Sequence, residues 1–158
     1  MEVVLVICGC IALALICNSF YKKKVNSAGD RGMTIQRDRD FFRQAHVFTT
    51  SVASIDSIFQ KMDKSALTEY KINYSLAPGT RIEFSRTVPM IGTTYFRLSY
   101  NGMVGEKHRY TFMVTRYVTR NGAELGVLEA NIALTGIEKA ILSLDPQTTV
   151  ERVRANYK

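Results

Sequence analysis

The chain has 158 residues, 46% apolar and 22% charged, which excludes a disordered polyelectrolyte and suits one domain around a single core. Its three cysteines, Cys8, Cys10 and Cys17, all fall in the first seventeen residues, which excludes a disulfide framework for the remainder. The formal charge is +7, and residues 25–158 hold 18 Lys/Arg against 13 Asp/Glu, so that part is basic in its own right.

Val3 to Cys17 is an unbroken run of apolar or small residues, and Asn18, Ser19 and Phe20 extend it to 18. At about 1.5 Å of rise per residue, a helix of that length spans roughly 27 Å, close to the hydrocarbon thickness of a bilayer. Phe20 and Tyr21 sit where an interfacial aromatic belt belongs, and Lys22, Lys23 and Lys24 follow at once. The sequence therefore predicts a single-pass transmembrane helix, with residues 1–24 as the anchor and its basic flank. The positive residues lie after the run, which predicts a cell-membrane protein with its N-terminus outside and its domain in the cytoplasm. A cleaved signal peptide would carry its charge before the run. A lipoprotein would have a small residue before the modified cysteine, and Ile16 precedes Cys17. Cys17, beside the basic flank, is the cysteine best placed for acylation.

Residues 25–40 read as a polar linker, with Gly29, Gly32 and the alternating charges Arg37-Asp38-Arg39-Asp40. A soluble domain is expected over 41–158. His46 to Val52 is rich in β-favouring residues and predicts a short strand. Ile55, Ile58, Phe59 and Met62 then fall on one helical face, with Ser54 as the cap and Lys61 and Lys64 near the end. A strand-rich stretch follows. Tyr70, Ile72, Tyr74 and Leu76 alternate with polar residues, as do Ile82 and Phe84, then Phe96, Leu98 and Tyr100, then Tyr110, Phe112 and Val114. Such alternation predicts an antiparallel meander with one face on a core and one in water. Asn121-Gly122 is the strongest hairpin signal and asks for a returning fifth strand. Residues 123–134 also carry a helical spacing, Val127, Ala130 and Leu134, so they read both ways. Thr135-x-x-Glu138 has the letters of a capping box, so the helix is expected from Thr135 to Leu144. Asp145-Pro146 then suggests a last short helix ending near Tyr157.

The fold class expected is α+β: the anchor, then an antiparallel sheet of about five strands, preceded by one helix and followed by helices on one face. Strand, helix, long meander, helix is also the order of helix-grip (START-like) domains, which often hold an apolar ligand; the analogy is one of architecture.

Chemistry is sparse. The two histidines, His46 and His108, are 62 residues apart with no cysteine near either, so no Cys/His zinc spacing exists. There is no glycine-rich phosphate loop and no GxSxG or SxxK nucleophile motif. Gly102-Met103-Val104-Gly105 has the letters of the KH clamp but lies between two strands, where a hairpin loop is the simpler reading. No catalytic, metal or cofactor residue is assigned, and no cofactor is called for. The one constellation is basic: Lys22, Lys23 and Lys24 in the flank, and Lys71, Arg81, Arg97 and Arg109 on the water-facing side of the strands, with Tyr95 among them. Basic residues interleaved with aromatics contact polyanions. Three functions follow as expectations. The first is a non-enzymatic binding module holding a partner protein or apolar ligand at the cytoplasmic membrane face. The second is a binder of anionic lipid or nucleic acid through the basic face, nucleic acid being the less favoured. The third is an enzyme with a carboxylate site that sequence does not reveal. Oligomeric state is left open.

Overall fold

The computed structural model describes residues 2–155, with the side chains of residues 2–14 and of Arg39 outside that description. Helix α1 (Glu2–Asp30) and a 3-10 turn (Arg39–Arg43) precede strand β1 (Gln44–Thr50). Two short helices follow, α2 (Ile55–Lys61) and α3 (Lys64–Glu69). The meander is β2 (Asn73–Ala77), β3 (Arg81–Val88), β4 (Gly92–Val104) and β5 (Lys107–Arg116). A two-residue ladder, β6 (Thr119–Arg120) with β7 (Ala123–Glu124), leads into α4 (Val127–Leu144), and β8 (Thr149–Arg154) closes the chain. The main sheet has six antiparallel strands in the order β2-β3-β4-β5-β1-β8.

Among the described residues no helix is long and apolar enough to cross a membrane. This overturns the single-pass transmembrane helix expected over residues 1–24. The helix does not stop at Phe20 and Tyr21. It runs on through the three lysines to Asp30, and its last turns bury Ala28 completely and pack Val25 against the core of the domain. The side chains of Cys8 and Cys10, and the apolar run as far as residue 14, lie outside the described residues; Cys17 is exposed.

Period-2 alternation puts Ile82 and Phe84, Phe96 and Leu98, and Tyr110, Phe112 and Val114 on one sheet face. Phe84 stacks on Phe96 with centroids 5.7 Å apart, and Phe112 lies 6.1 Å beyond. Helix α4 lies over these rings and buries ten of its residues. These rings and the buried side of α4 belong to one hydrophobic cluster, each buried aliphatic or aromatic group contributing about 1.5–3 kcal/mol.

Two further expectations are corrected here. Residues 125–134 are not a fifth strand: α4 begins at Val127, eight residues before the expected start. The Asn121-Gly122 turn does return the chain, but only for Ala123 and Glu124. Leu125 is then held by its carbonyl, which accepts from Thr94 Oγ1 at 2.8 Å, and Gly126 turns the chain with φ +88°. The second correction concerns the end. Asp145 does not open a helix. Its carboxylate accepts from Ser51 N at 2.7 Å, Thr50 Oγ1 at 2.9 Å and Gln147 N at 3.0 Å. That cluster ties the end of α4 to the end of β1, and the chain leaves it as a strand paired to β1 instead of the helix expected to reach Tyr157.

Residues 31–38 lie along α4. Ile35 N donates to Thr135 Oγ1 and Asn131 Nδ2 donates to the Ile35 carbonyl at 3.0 Å. Lys139 Nζ reaches the Gly32 carbonyl at 2.6 Å. Arg37 forms a bidentate pair with Glu138 at 3.0 and 2.6 Å, and its Nε donates to Asn131 at 2.8 Å. Both side chains of the pair are buried, 3% and 10% exposed. Thr135 and Glu138 therefore serve mid-helix as the seat of this strap rather than as a capping box.

Two stability predictions follow from these contacts. Arg37→Met strands the Glu138 carboxylate and costs about 3–5 kcal/mol in urea unfolding, and adding Glu138→Leu recovers most of the loss. Gly126→Ala forces a left-handed backbone on alanine and drives its Cβ to 3.0 Å from Thr94; it costs about 1–3 kcal/mol in the same assay.

Candidate functional site

The side of the sheet opposite α4 is built from the other residue of each alternating pair. One cross-strand row runs Ser75, Glu83, Arg97, Met113. The next row holds Asn73, Ser85 and Tyr95. A bulge in β5 then skips Thr115, so that Arg116 stands opposite Tyr95 on the same face. All of these except Met113 line an open groove of about 550 Å³ across four strands.

Its electrostatics are set by one preference. Glu83 stands opposite Arg97 in register, yet its carboxylate pairs with Arg81 at 2.8 Å, two residues along its own strand. Among the described residues no ion pair is formed by Arg97 or Arg116. The Arg97 Nε is buried and has no hydrogen-bond partner. A guanidinium without an ion-pair partner in a groove also lined by Ser75, Ser85 and Tyr95 offers a site for a carboxylate or phosphate group.

The other basic residues are distributed as follows. Arg81 is on this face beside Arg97 but is already paired. Arg109 is on the face too, opposite Thr49, away from the groove. Lys71 is not on a strand, because β2 starts at Asn73; it takes the left-handed position, φ 55°, that ends α3. Lys22 and Lys23 line a separate shallow concavity on α1 with Asp30 and Arg31, and Lys24 Nζ lies 4.8 Å over the Tyr70 ring. Those three lysines are on the helix side of the sheet, so the seven basic residues do not form one stripe. Arg116 was missed because strict alternation after Val114 places it on the core face, and nothing local announces the bulge.

Four glutamates are committed elsewhere: Glu69 to Arg31, Glu124 to Arg43, Glu129 to Arg86 and Glu138 to Arg37. The groove holds one, Glu83. Among the described residues no three His, Cys, Asp or Glu side chains gather to hold a metal. His108 is half-buried, its Nδ1 3.0 Å from the Tyr100 hydroxyl. No protein-family model and no curated protein matches the chain.

His46 is a buried titratable group whose charge state the fold controls. It is fully enclosed; Nε2 lies 3.3 Å from the Phe41 carbonyl, and Nδ1 has no partner. Desolvation, opposed by that carbonyl and by Glu138 and aided by Arg37 and Arg152, lowers its pKa to about 4. The folded state therefore binds fewer protons than the unfolded chain between pH 4 and about 6.5. Stability is full above the unfolded value and is lost as pH falls through that window, by about 3 kcal/mol. Asp145 acts below it: hydrogen bonds from Ser51 and Thr50 hold its carboxyl far below the ordinary range, so its contribution goes only in stronger acid. Unfolding free energies measured from pH 4 to 7 should rise with pH in the native chain, and His46→Leu should flatten that slope.

Proposed function

We propose that this chain is a non-enzymatic binding module that takes an acidic segment of a partner protein on the outer face of its sheet. The observation that carries the reading is Arg97: a half-buried guanidinium in a 550 Å³ groove, with a buried Nε left without a partner. A carboxylate in that groove would pair with a guanidinium that no acidic side chain takes, and Arg116, which lines the same groove and is likewise without an ion pair, would take a second one. An acidic polypeptide fits better than nucleic acid. Base stacking needs a series of exposed rings, and of the two exposed rings that line the groove Tyr95 is on the outer face while Tyr74 packs beside Phe59 on the helix side. The interior supports the surface site as well. Rings of Phe84, Phe96 and Phe112 fill the layer beneath α4, where an apolar ligand would otherwise lie.

The test is amide chemical-shift titration of the full chain with a poly-glutamate peptide and, separately, with a single-stranded oligonucleotide. Shifts on β3, β4 and the end of β5 are expected with the peptide. Arg97→Ala and Arg116→Ala should each weaken it about tenfold, the worth of one charge-assisted hydrogen bond. Arg109→Ala should leave it unchanged. Raised salt should weaken binding without abolishing it, since the Arg97 contact is shielded. Equal affinity of the Arg97→Ala and native chains, or a preference for the oligonucleotide, would sink the reading.

A further inference from the structure

The two edges of the sheet are chemically unlike. β8, at one edge, carries Glu151, Arg152 and Arg154 within six residues. β2, at the other, is Asn-Tyr-Ser-Leu-Ala, with no charge, no proline and an unbroken register against β3. Among the described residues no strand pairs with the outer side of β2. Native proteins guard such edges with charge, proline or a bulge, and β2 has none of them.

Symmetry sharpens the contrast. Two copies of an edge strand join antiparallel about an axis normal to the sheet, which keeps inner face with inner and outer with outer. The residue on the axis then meets itself. For β8, an axis at Glu151 or Arg152 opposes like charges, an axis at Val153 opposes Arg152 to Arg154, and an axis at Val150 leaves only its first three residues overlapping. For β2, an axis at Ser75 opposes Ser75 to Ser75, Tyr74 to Leu76 and Asn73 to Ala77, and uses the whole strand. Tyr74 is 37% exposed and its ring lies 5.8 Å from that of Phe59 on α2. On pairing, Tyr74 of each copy would cover Leu76 of the other on the helix side, with Phe59 behind it.

We propose that a second copy of this chain pairs edge to edge through β2, with Ser75 on the two-fold axis, joining the two six-stranded sheets into one. The partner is another molecule of the same sequence because the self-match is complete on this edge and obstructed on the other. The proposal stands independently of the ligand reading, though Asn73 and Ser75 also rim the groove. Pairing would set two such grooves side by side on one face, a bivalent surface for a repetitive partner.

Sedimentation velocity on the full chain tests it. The native chain should run as a dimer at micromolar and higher concentrations. Ser75→Lys, which brings two lysines together on the axis, should return it to a folded monomer that keeps a cooperative thermal transition, its midpoint no longer dependent on concentration. Val150→Lys, on β8, should leave the dimer intact. Register is read by oxidation in a chain with Cys8, Cys10 and Cys17 replaced by alanine. Ser75→Cys should cross-link to itself, and Tyr74→Cys, whose opposite number is Leu76, should not. A monomeric native chain overturns the proposal. So does a dimer that survives Ser75→Lys and gives no Ser75→Cys cross-link, since association would then run through another surface such as α1.

Discussion

The Arg37–Glu138 pair is where the two halves of the helix layer meet. Glu138 is buried on α4, and without Arg37 it would be a buried carboxylate that has lost its ion-pair partner. A buried pair adds little net stability over a well-packed apolar alternative, because both ions give up their hydration. Its effect is geometric. The fork of Arg37 reads Glu138 and Asn131 at once, and the backbone of Ile35 adds two more bonds to the same stretch of α4. The segment after α1 is therefore registered on α4 residue by residue. The direction of the end of α1, the burial of Ala28 and the closure over His46 all follow from that registration.

The opposite side of the sheet obeys a different constraint. No helix covers it among the described elements, so each strand had to supply its own solubility through serine, threonine and charged residues. That requirement alone accounts for Arg81 with Glu83, a neutral pair in water. It does not account for Arg97, which is half-buried with a donor unmet, or for the bulge that brings Arg116 onto the same face in the neighbouring row. A surface chosen only for solubility would have let Glu83 pair across the strands. The chain pairs it along the strand instead and leaves the central guanidinium open, and the binding reading rests on that choice.

Much of the domain was legible before any coordinates. Tyr110, Phe112 and Val114 declare a strand because alternation is a property of neighbours, and Ser54 declares the start of α2 because a cap acts within three residues. His46 to Val52 likewise reads as a strand from composition, and the strand found, Gln44–Thr50, overlaps it. The misreadings share one cause. Thr135 and Glu138 have the spacing of a capping box, but the same spacing places two polar groups on one side of a continuing helix, and only Arg37, about a hundred residues away, distinguishes the cases. Asp145 looks like a cap in either setting; its true donors are Ser51 and Thr50. The apolar run at the N-terminus reads as a membrane span by length and flanking charge, whereas the helix continues past its lysines and lays its end on the domain.

Local chemistry was enough for the class of fold, the antiparallel meander and the composition of its water-facing side, since side-chain alternation and turn residues act over a few bonds. Long-range contacts settled where α4 begins, that the chain ends in a strand beside β1, and which arginine is left unpaired. Those outcomes turn on competition between partners distant in sequence: Gly126 against Thr94, Glu83 between Arg81 and Arg97, Asp145 against the end of β1. Each is decided by which group arrives within hydrogen-bond distance, and that is a property of the assembled sheet rather than of any segment in it.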